Sequence, residues 1–403
     1  MRKFLYIVLI LITIIPYNVI AINSKNAILY NYDTDEVLYS KNPNQKVSIA
    51  SMTKIMTCIV VLERVNNLDE KVKMTSPMFY RLVEENASVA GFRIGEEVTY
   101  RDLLYGLMLP SGADAAQGLA ILTYGNTDNF VKAMNNKAKE IGLKNTRFAN
   151  PTGLDNKNNY STVNDVATLL KYSLKNNEFK KIFTTKRYVT SNKKHTFKAT
   201  ITRVKLDTSL IQGDKTGFTY DAGLCMASIS HKDNVNLLLV TANAPYQNRR
   251  TTHVEDANYL YNYYYKNYSY RKVLNVNDLI TTINLEDGRT IEYYSGKEAE
   301  KYLKNDCVLN KKYEGINEQT YENKIGDKLG KYTVKCNDKI VYEQDVFVTL
   351  KINKEKEINY IPYIIVGLLL FFILIGIIIL IFKVVKNAFI KRRRNKKISN
   401  KNK

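Results

Sequence analysis

The sequence of 403 residues contains no tryptophan and only three histidines, which lie far apart as His195, His231 and His253. No two of these histidines have the spacing of metal ligands, so we expect no zinc site built on histidine. A serine that relies on a histidine base needs that base within hydrogen-bond reach. The scarcity of histidine therefore favours another residue as the base of any serine-based catalysis.

Cysteine is also rare, and the four cysteines include no Cys-x-x-Cys pair. Cys58 and Cys225 lie in apolar stretches and are expected to be buried thiols. Cys307 with Cys336 is the only disulfide that we consider, since an oxidising exterior permits disulfides. Spacing alone does not fix a connectivity, so whether these two cysteines pair stays open at this point.

Basic residues outnumber acidic ones and give a formal net charge of +21, but much of the excess lies at the C terminus. Residues 383–403 hold ten lysines or arginines and no acidic residue, and Arg2 and Lys3 add two more. The remainder is only mildly basic, which removes most of the support for nucleic-acid binding. Its positive charge would suit an anionic surface such as a cell wall, but a plain solvated, lysine-rich surface is the simpler explanation.

Both ends of the chain carry apolar segments typical of export and membrane anchoring. A positive start, an apolar stretch over residues 4–15 and small residues near Ala21 predict a signal peptide at residues 1–21, with an uncleaved anchor as the alternative. Residues 361–382 carry no charge and as a helix would span about 33 Å, enough for a bilayer core. Positive charge marks the cytoplasmic side, so we expect a single-pass membrane protein with the tail of residues 383–403 inside. That tail could also bind anionic lipid headgroups.

Between these ends the pattern of apolar residues changes once. Residues 22–268 combine a hairpin, a block of helices and further strands, which predicts an α+β domain. Its predicted elements are a hairpin at 27–40, helices at 51–65, 101–124 (interrupted at 109–112), 129–141, 162–174 and 254–265, and strands at 186–191, 224–230 and 236–242. Residues 269–355 predict a small all-β domain, with strands at 282–285, 290–294, 332–336 and 345–350.

The first candidate for chemistry is the pair Ser51 and Lys54, in the tetrapeptide Ser-Met-Thr-Lys at the start of a predicted helix. Positions i and i+3 share a helix face, so the hydroxyl and the amine would lie within reach of each other. Serine is a weak nucleophile until a neighbour takes its proton. A lysine serves as that base only when burial or nearby cations lower its pKa. The helix N terminus would help to stabilise an anionic intermediate. On this motif alone, a surface cap with a solvated lysine is the more common arrangement.

Two further short motifs follow in order. They are Ser111-Gly112-Ala113 and Lys215-Thr216-Gly217. Each is weak alone, because a turn or a strand end would explain it. Ser-x-x-Lys, a second serine motif and Lys-Thr-Gly together form the signature of penicillin-binding proteins and class A β-lactamases. Three such motifs in this order, on a chain with the features of an exported protein, are poorly explained by coincidence.

With these motifs the chain resembles a low-molecular-mass penicillin-binding protein of the serine-type D-alanyl-D-alanine carboxypeptidase family. The likeness runs over residues 27–265 and extends beyond the three motifs. Further matching stretches are Gly95-Glu96, Val98-Thr99, Asp102-Leu103-Leu104, Met134-Asn135, Ala138, Gly142-Leu143, Asn145-Thr146, Asn150-Pro151-Thr152-Gly153-Leu154, Tyr160-Ser161-Thr162, Asp165-Val166-Ala167, Gly223 and Cys225. The family implies a β-lactamase/transpeptidase-like catalytic domain, with an antiparallel sheet and a helical subdomain, then a small β domain and a C-terminal anchor.

The resemblance implies that the chain removes the terminal D-Ala from peptidoglycan stem pentapeptides and is covalently inhibited by penicillin. Ser51 would be the acyl-ester nucleophile, Lys54 the general base, and Ser111 the relay that passes the proton to the leaving amine. Water would then hydrolyse the acyl-enzyme. The family implies no cofactor and no metal.

The family also implies how the substrate is held. Lys215, Thr216 and Gly217 would form the substrate-binding strand, with Lys215 and Thr216 on the terminal carboxylate in a charge-assisted contact. The backbone N–H groups of Ser51 and Phe218 would form the oxyanion hole, where negative charge develops.

The chain departs from the family at two places. The second motif usually ends in Asn, and Ala113 removes an amide expected to touch both the lysine and the substrate. Loss of one such contact, about 1–3 kcal/mol, would slow the enzyme rather than silence it. Family members often carry an arginine near the start of the helix that closes the catalytic domain. The nearest counterparts are Arg249 and Arg250, and a direct alignment places His253 there, so the role stays unassigned.

Two other functions fit part of the pattern. A class A β-lactamase shares the three motifs but needs a carboxylate to activate the deacylating water, and the chain has no Glu-x-x-Leu-Asn stretch. A catalytically impaired wall-binding or scaffold protein would explain Ala113. Against that alternative, the nucleophile and the other motif residues are intact.

Overall fold

The computed structural model describes residues 20–246, 251–286, 288–352 and 358–399. The predicted signal peptide, residues 1–21, lies outside these ranges except for its last two residues. Arg249 and Arg250, the arginines nearest to the closing helix, also lie outside them.

The chain divides into two units by its internal contacts. The first comprises Met1–Arg271 with Lys301–Cys307, and the second comprises Lys272–Glu300 with Val308–Lys403. The first unit therefore contains all three motifs, and the second contains most of the C-terminal β strands and the long apolar helix.

The first part of the chain holds strands on either side of a mainly helical block and ends in a helix, and strands predominate after residue 268. In chain order they are β1 (Asn26–Asn31), β2 (Glu36–Lys41), α1 (Thr53–Leu62), β3 (Lys71–Lys73), β4 (Glu97–Thr99), α2 (Tyr100–Met108), α3 (Ala113–Tyr124), α4 (Thr127–Ile141), α5 (Val163–Ser173), α6 (Asn177–Thr184), β5 (Arg187–Val189), β6 (Thr196–Lys198), β7 (Gly213–Thr219), β8 (Gly223–Lys232), β9 (Val235–Ala244), α7 (Thr252–Asn267), β10 (Tyr268–Leu274), β11 (Leu279–Leu285), β12 (Thr290–Tyr294), β13 (Ala299–Lys304), β14 (Leu309–Gly315), β15 (Glu318–Gln319), β16 (Lys328–Cys336), β17 (Lys339–Phe347) and α8 (Ile361–Ser399). Short 3₁₀ helices lie at Ala50–Met52, Ser76–Phe79 and Thr200–Arg203.

The first unit is built on a five-stranded antiparallel sheet in the order β2-β1-β9-β8-β7. Every residue of β1 is buried, which means that both faces of the central strands are covered. Helix α7 packs against β8 and β9, and α5 packs against β1, β8 and β9. Strand β7 forms one edge of this sheet, and its Lys215 lies opposite Ala227 of β8.

The helices between β2 and β7 are mostly where the apolar periodicity predicts them. The long predicted helix is broken at residues 109–112 into α2 and α3, as Pro110 and Gly112 indicated. A capping box starts α2, where Thr99 Oγ1 accepts from Asp102 N at 3.1 Å and Asp102 Oδ2 accepts from Thr99 N at 3.0 Å. One helix was not predicted, α6, whose start is capped by Asn176 Oδ1 on Phe179 N at 3.1 Å.

Beyond the first sheet the strands form small sheets, as predicted. Strands β12, β11 and β15 form one three-stranded sheet, and β14, β16 and β17 form another. The prediction for β12 is confirmed residue by residue. The prediction of a last strand at 345–350 was wrong in its bounds, because β17 begins at Lys339 and ends at Phe347. The early start follows from a tight hairpin in which Lys339 pairs with Cys336.

The four cysteines fall into two classes. Cys58 and Cys225 are buried free thiols, as expected from their apolar surroundings. Burial raises the pKa of the Cys225 thiol to about 12, which keeps it protonated and unreactive. Cys307 and Cys336 are disulfide-bonded.

Among the described residues, one helix is long and apolar enough to cross a membrane, within Ile361–Asn395. Its first 22 residues, 361–382, carry no charge. The side chains of residues 361–395 are exposed throughout, whereas a core helix of a soluble protein would be largely buried. The helix is therefore compatible with the predicted membrane anchor.

Candidate active site

Ser51 and Lys54 lie where a 3₁₀ turn passes into α1. Ser51 is the middle residue of the turn Ala50–Met52, and Lys54 is the second residue of α1. Lys54 Nζ donates a hydrogen bond of 3.0 Å to Ser51 Oγ and another of 2.5 Å to the carbonyl oxygen of Thr152. The two side chains therefore meet as their spacing predicts, although the 3₁₀ turn replaces the first turn of the expected α-helix.

Two glycines, Gly153 and Gly217, pack closely against the turn that carries Ser51 and fix its conformation. A Cβ on Gly153, which has φ +79°, would stand 2.0 Å from the carbonyl oxygen of Ala50. A Cβ on Gly217 would stand 2.8 Å from the Ser51 amide nitrogen. Ala50 has φ +45°, a left-handed conformation that costs a residue other than glycine about 1–2 kcal/mol. Strained residues persist where the surrounding structure over-determines them, and here Gly153 and Gly217 supply that packing.

Burial lowers the pKa of Lys54 well below its ordinary value of 10.5. The charge of Lys215 lowers this pKa further, and the charge of Asp114 opposes the shift. Desolvation dominates because the Lys54 side chain is almost completely enclosed, and burial disfavours the ammonium form. Lys54 therefore loses its proton more readily than a surface lysine, which is what a base requires.

Ser111 and Lys215 form a second pair of buried side chains. Ser111 lies in the short connection between α2 and α3 and has φ +65°. Lys215 Nζ donates a hydrogen bond of 3.0 Å to Ser111 Oγ and one of 2.7 Å to the carbonyl oxygen of Thr216. The second and third motifs are thus joined directly, across 104 residues of sequence.

Burial and the neighbouring Asp214 on β7 act on the pKa of Lys215 in opposite directions. Burial lowers the pKa of Lys215 to about 8, and the adjacent Asp214 opposes the shift. Burial raises the pKa of Asp214, although Lys186 Nζ lies 3.1 Å from its Oδ1. Near neutral pH, Lys215 remains largely protonated and can attract a carboxylate.

The other predicted site residues lie beside these pairs. Gly217 packs against the amide of Ser51, which places β7 next to Ser51. Thr216 shares a hydrogen bond of 2.5 Å between hydroxyl groups with Thr200. Phe218 follows on the same strand, and its ring centroid lies 5.0 Å from that of Tyr246. Ala113 is buried at the start of α3 and offers no side-chain amide.

Sequence reasoning missed the part played by residues 150–153. Asn150 Oδ1 accepts hydrogen bonds from Gly153 N at 2.7 Å and from Thr152 N at 3.2 Å. This turn presents the Thr152 carbonyl to Lys54 and the bare Gly153 to Ala50. The Asn-Pro-Thr-Gly stretch was visible as a family resemblance, but a backbone carbonyl leaves no residue type in the sequence to mark it.

His253, which a direct alignment placed at the family's arginine, is buried in α7. Burial lowers its pKa to about 4, so it is uncharged near neutral pH. Within the described residues its Nδ1 has no hydrogen-bond partner. A neutral, enclosed imidazole is a poor substitute for a carboxylate-binding cation.

The sequence model of a protein family described as D-alanyl-D-alanine carboxypeptidase matches residues 15–246, which is more than half of the chain. The match includes all three motifs. The chain belongs to this family. It is therefore a serine peptidase, and its family works through a serine acyl-enzyme. The β-lactamase and scaffold alternatives are not favoured by these findings.

Individual relatives agree with the family assignment. The D-alanyl-D-alanine carboxypeptidase DacF of Bacillus subtilis is 32% identical over 319 residues, which cover 77% of this chain and 78% of that protein. The D-alanyl-D-alanine endopeptidase of Pseudomonas aeruginosa is 36% identical over 244 residues, covering 58% of this chain and 74% of that protein.

Solved structures confirm the predicted fold class. A Streptomyces DD-transpeptidase matches with a TM-score of 0.55 at 33% identity, covering 60% of this chain and 97% of that one. Penicillin binding protein 5 from Haemophilus influenzae matches with a TM-score of 0.62 at 23% identity, covering 83% and 98% respectively, which shows the fold alone.

Proposed function

We propose that this chain removes the terminal D-Ala from peptidoglycan stem peptides through an acyl-enzyme on Ser51, and that penicillin acylates the same residue. The observation that carries the proposal is the 3.0 Å contact between Ser51 Oγ and a buried Lys54 Nζ. A hydroxyl beside an amine of lowered pKa is an activated nucleophile. Family membership supports the substrate class and the inhibitor.

Acylation begins with proton transfer from Ser51 to the uncharged Lys54. The lone pair of the neutral amine accepts the proton across the contact that already exists, while Ser51 Oγ attacks the carbonyl carbon of the penultimate D-Ala. The Thr152 carbonyl accepts a hydrogen bond from the resulting ammonium at 2.5 Å. This carbonyl keeps the lysine in place and stabilises its charged form.

The leaving group is handled by the second pair. Ser111 lies 3.0 Å from Lys215 Nζ, and we assign it the relay of a proton to the departing D-Ala amine. Lys215 and the Thr216 hydroxyl bind the terminal carboxylate. The largely protonated state of Lys215, whose pKa is about 8, supports this assignment, because an ionised donor strengthens a hydrogen bond to a carboxylate.

We assign the oxyanion hole to the backbone N–H groups of Ser51 and Phe218. The close packing of Gly217 on the Ser51 amide supports this assignment, since it brings β7 to the nucleophile. Two amides fixed in advance stabilise the developing negative charge without reorganisation.

We further propose that residues 22–268 form the catalytic domain and 269–355 a β domain, with residues 361–382 as a single membrane span. The long apolar helix supports the anchor. The run of basic residues within 383–403 supports a cytoplasmic C terminus and an extracytoplasmic catalytic domain.

The proposal is tested with full-length protein in detergent and a synthetic peptide that ends in N-acyl-Lys-D-Ala-D-Ala. Wild-type protein should release free D-Ala, measured with a D-amino-acid oxidase assay, and Ser51→Ala should release none. If wild type released no D-Ala but still bound penicillin covalently at Ser51, the substrate assignment would be wrong and the acylation mechanism would stand.

A further inference from the structure

Asp114 is a fully buried carboxylate to which the family motifs give no role. Its Oδ1 accepts hydrogen bonds from the N–H groups of Ala90 at 2.7 Å and Ala115 at 2.9 Å. Its Oδ2 accepts from Gly91 at 2.9 Å and from Phe92 at 3.2 Å. Three successive amides of one loop are thus gathered on a single carboxylate, an arrangement that binds an anion firmly.

The loop of residues 88–92 lies directly on the second motif. Ala113 N donates to the carbonyl oxygen of Ser88 at 2.7 Å. A Cβ on Gly112 would stand 2.7 Å from the Cβ of Ala90. Ser111, which precedes Gly112, has φ +65°, a strained conformation that persists only with support from its surroundings.

We propose that Asp114 is a positioning residue that ties the loop of residues 88–92 to the second motif and so holds Ser111 against Lys215. The inference rests on the proposed function, in which Ser111 relays a proton. The carboxylate touches neither Ser111 nor Lys215, so it acts through the backbone of the second motif. Without this carboxylate, the three loop amides lose their common acceptor, and Gly112, which follows the left-handed Ser111, loses the close packing of Ala90.

Asp114 also carries the charge that opposes the lowering of the Lys54 pKa. The charged groups that act on Lys54 are Lys215, which lowers the pKa, and Asp114, which raises it. Removing the carboxylate charge leaves burial and Lys215 unopposed, so the pKa of Lys54 should fall further. Acylation requires the uncharged amine, and its acid limb should therefore move to lower pH.

The test measures the second-order rate of acylation by a fluorescent penicillin, across pH, on full-length protein in detergent. Asp114→Asn keeps the shape but replaces one accepting oxygen with an NH₂ group that faces backbone donors. We expect acylation at least about tenfold slower, because small displacements of catalytic groups lower rates strongly. We also expect an acid limb shifted to lower pH.

Two further variants separate the causes. Gly112→Ala keeps the carboxylate charge, but its Cβ would stand 2.7 Å from both the Ala90 Cβ and Asp114 Oδ1. The loop and the carboxylate must then shift against the second motif, so acylation should slow while the acid limb stays in place. Asp102→Asn is the matched control. Asp102 is also fully buried and accepts from backbone amides, those of Thr99 at 3.0 Å and Ser191 at 2.9 Å, yet it does not act on Lys54. Its variant should acylate within twofold of wild type.

An Asp114→Asn rate within twofold of wild type, or an acid limb at the wild-type pH, overturns the proposal. If that variant does not fold by circular dichroism, Gly112→Ala decides, and a wild-type rate for it overturns the proposal. Wild-type protein that takes no label would contradict the proposed function itself. A labelled wild type with an equally fast Asp114→Asn variant would contradict only this inference.

Discussion

Gly153 offers a direct test of how Ser51 is positioned, because it combines a left-handed conformation with a close approach to Ala50. In Gly153→Ala, the new Cβ would meet the Ala50 carbonyl oxygen at 2.0 Å, whereas ordinary contacts begin at 3.4 Å. The backbone next to Ser51 must therefore move by about 1.4 Å, or the Gly153 turn must move by a similar distance.

Two contributions set the expected size of the effect. An alanine at φ +79° carries about 1–2 kcal/mol of backbone strain, which lowers stability. The displacement acts on catalysis, because a misplacement of about 1 Å in an active site lowers rates by about 100-fold. We therefore expect Gly153→Ala to fold with reduced stability and to be acylated by penicillin about 100-fold more slowly.

Gly142→Ala is the matched control for this experiment. Gly142 has φ +85° at the end of α4, and nothing lies within 4 Å of a Cβ built there. The control carries the same backbone strain without the clash, so it should lose no more stability than Gly153→Ala and should keep a wild-type acylation rate. The assay is the time course of covalent labelling, with thermal unfolding measured in parallel. Equal acylation rates for the two variants would refute the reasoning.

Three further predictions address the base, its titration and the core. Lys54→Met should fold and should be acylated about 10²–10⁴-fold more slowly, and labelling at the wild-type rate would exclude Lys54 as the base. In the wild type, acylation should rise with pH as Lys54 loses its proton, because burial lowers the pKa of this lysine well below 10.5. Acylation should fall again above about pH 8 as Lys215, whose pKa is about 8, loses the charge that binds the carboxylate; a rate still rising at pH 10.5 would contradict both lowered pKa values. Phe130→Ala, in the buried face of α4, should lower the free energy of unfolding by about 3–5 kcal/mol, measured by urea denaturation, and a loss below 1 kcal/mol would show that this core position collapses readily.

The helices were predictable because their apolar residues recur at helical spacing. Helix α4 buries Phe130, Met134 and Ala138 at intervals of four residues, and the break before α3 is marked by proline and glycine. Helix α6 escaped prediction because only eight residues form it, and its three buried side chains are too few to define a period.

The strand that carries the third motif could not be predicted from the sequence. Strand β7 reads Gly-Asp-Lys-Thr-Gly-Phe-Thr, with two glycines and two charged residues, and it lacks the alternation typical of strands. It is a strand because its pairing with β8 and the packing of Gly213 and Gly217 favour that conformation. Its lysine is buried only because distant segments enclose it.

The pairing of Ser51 with Lys54 was predictable from helical spacing, whereas the pairing of Ser111 with Lys215 was not. The first contact spans three residues and follows from local geometry. The second contact depends on tertiary packing. The hydrogen bond that Lys54 donates to the Thr152 carbonyl depends on tertiary packing as well. Family resemblance supplied the identity of these residues, but only the fold shows the hydrogen bonds between them.

The central claim is that Ser51 becomes acylated, and peptide mass mapping tests it most directly. Full-length protein is treated with benzylpenicillin, quenched with acid and digested with trypsin, which should release residues 47–54 as one peptide containing Ser51. We predict that this peptide gains the mass of one penicilloyl group in wild type and gains nothing in Ser51→Ala. Unmodified wild-type protein, or an adduct confined to a different peptide, would contradict the account.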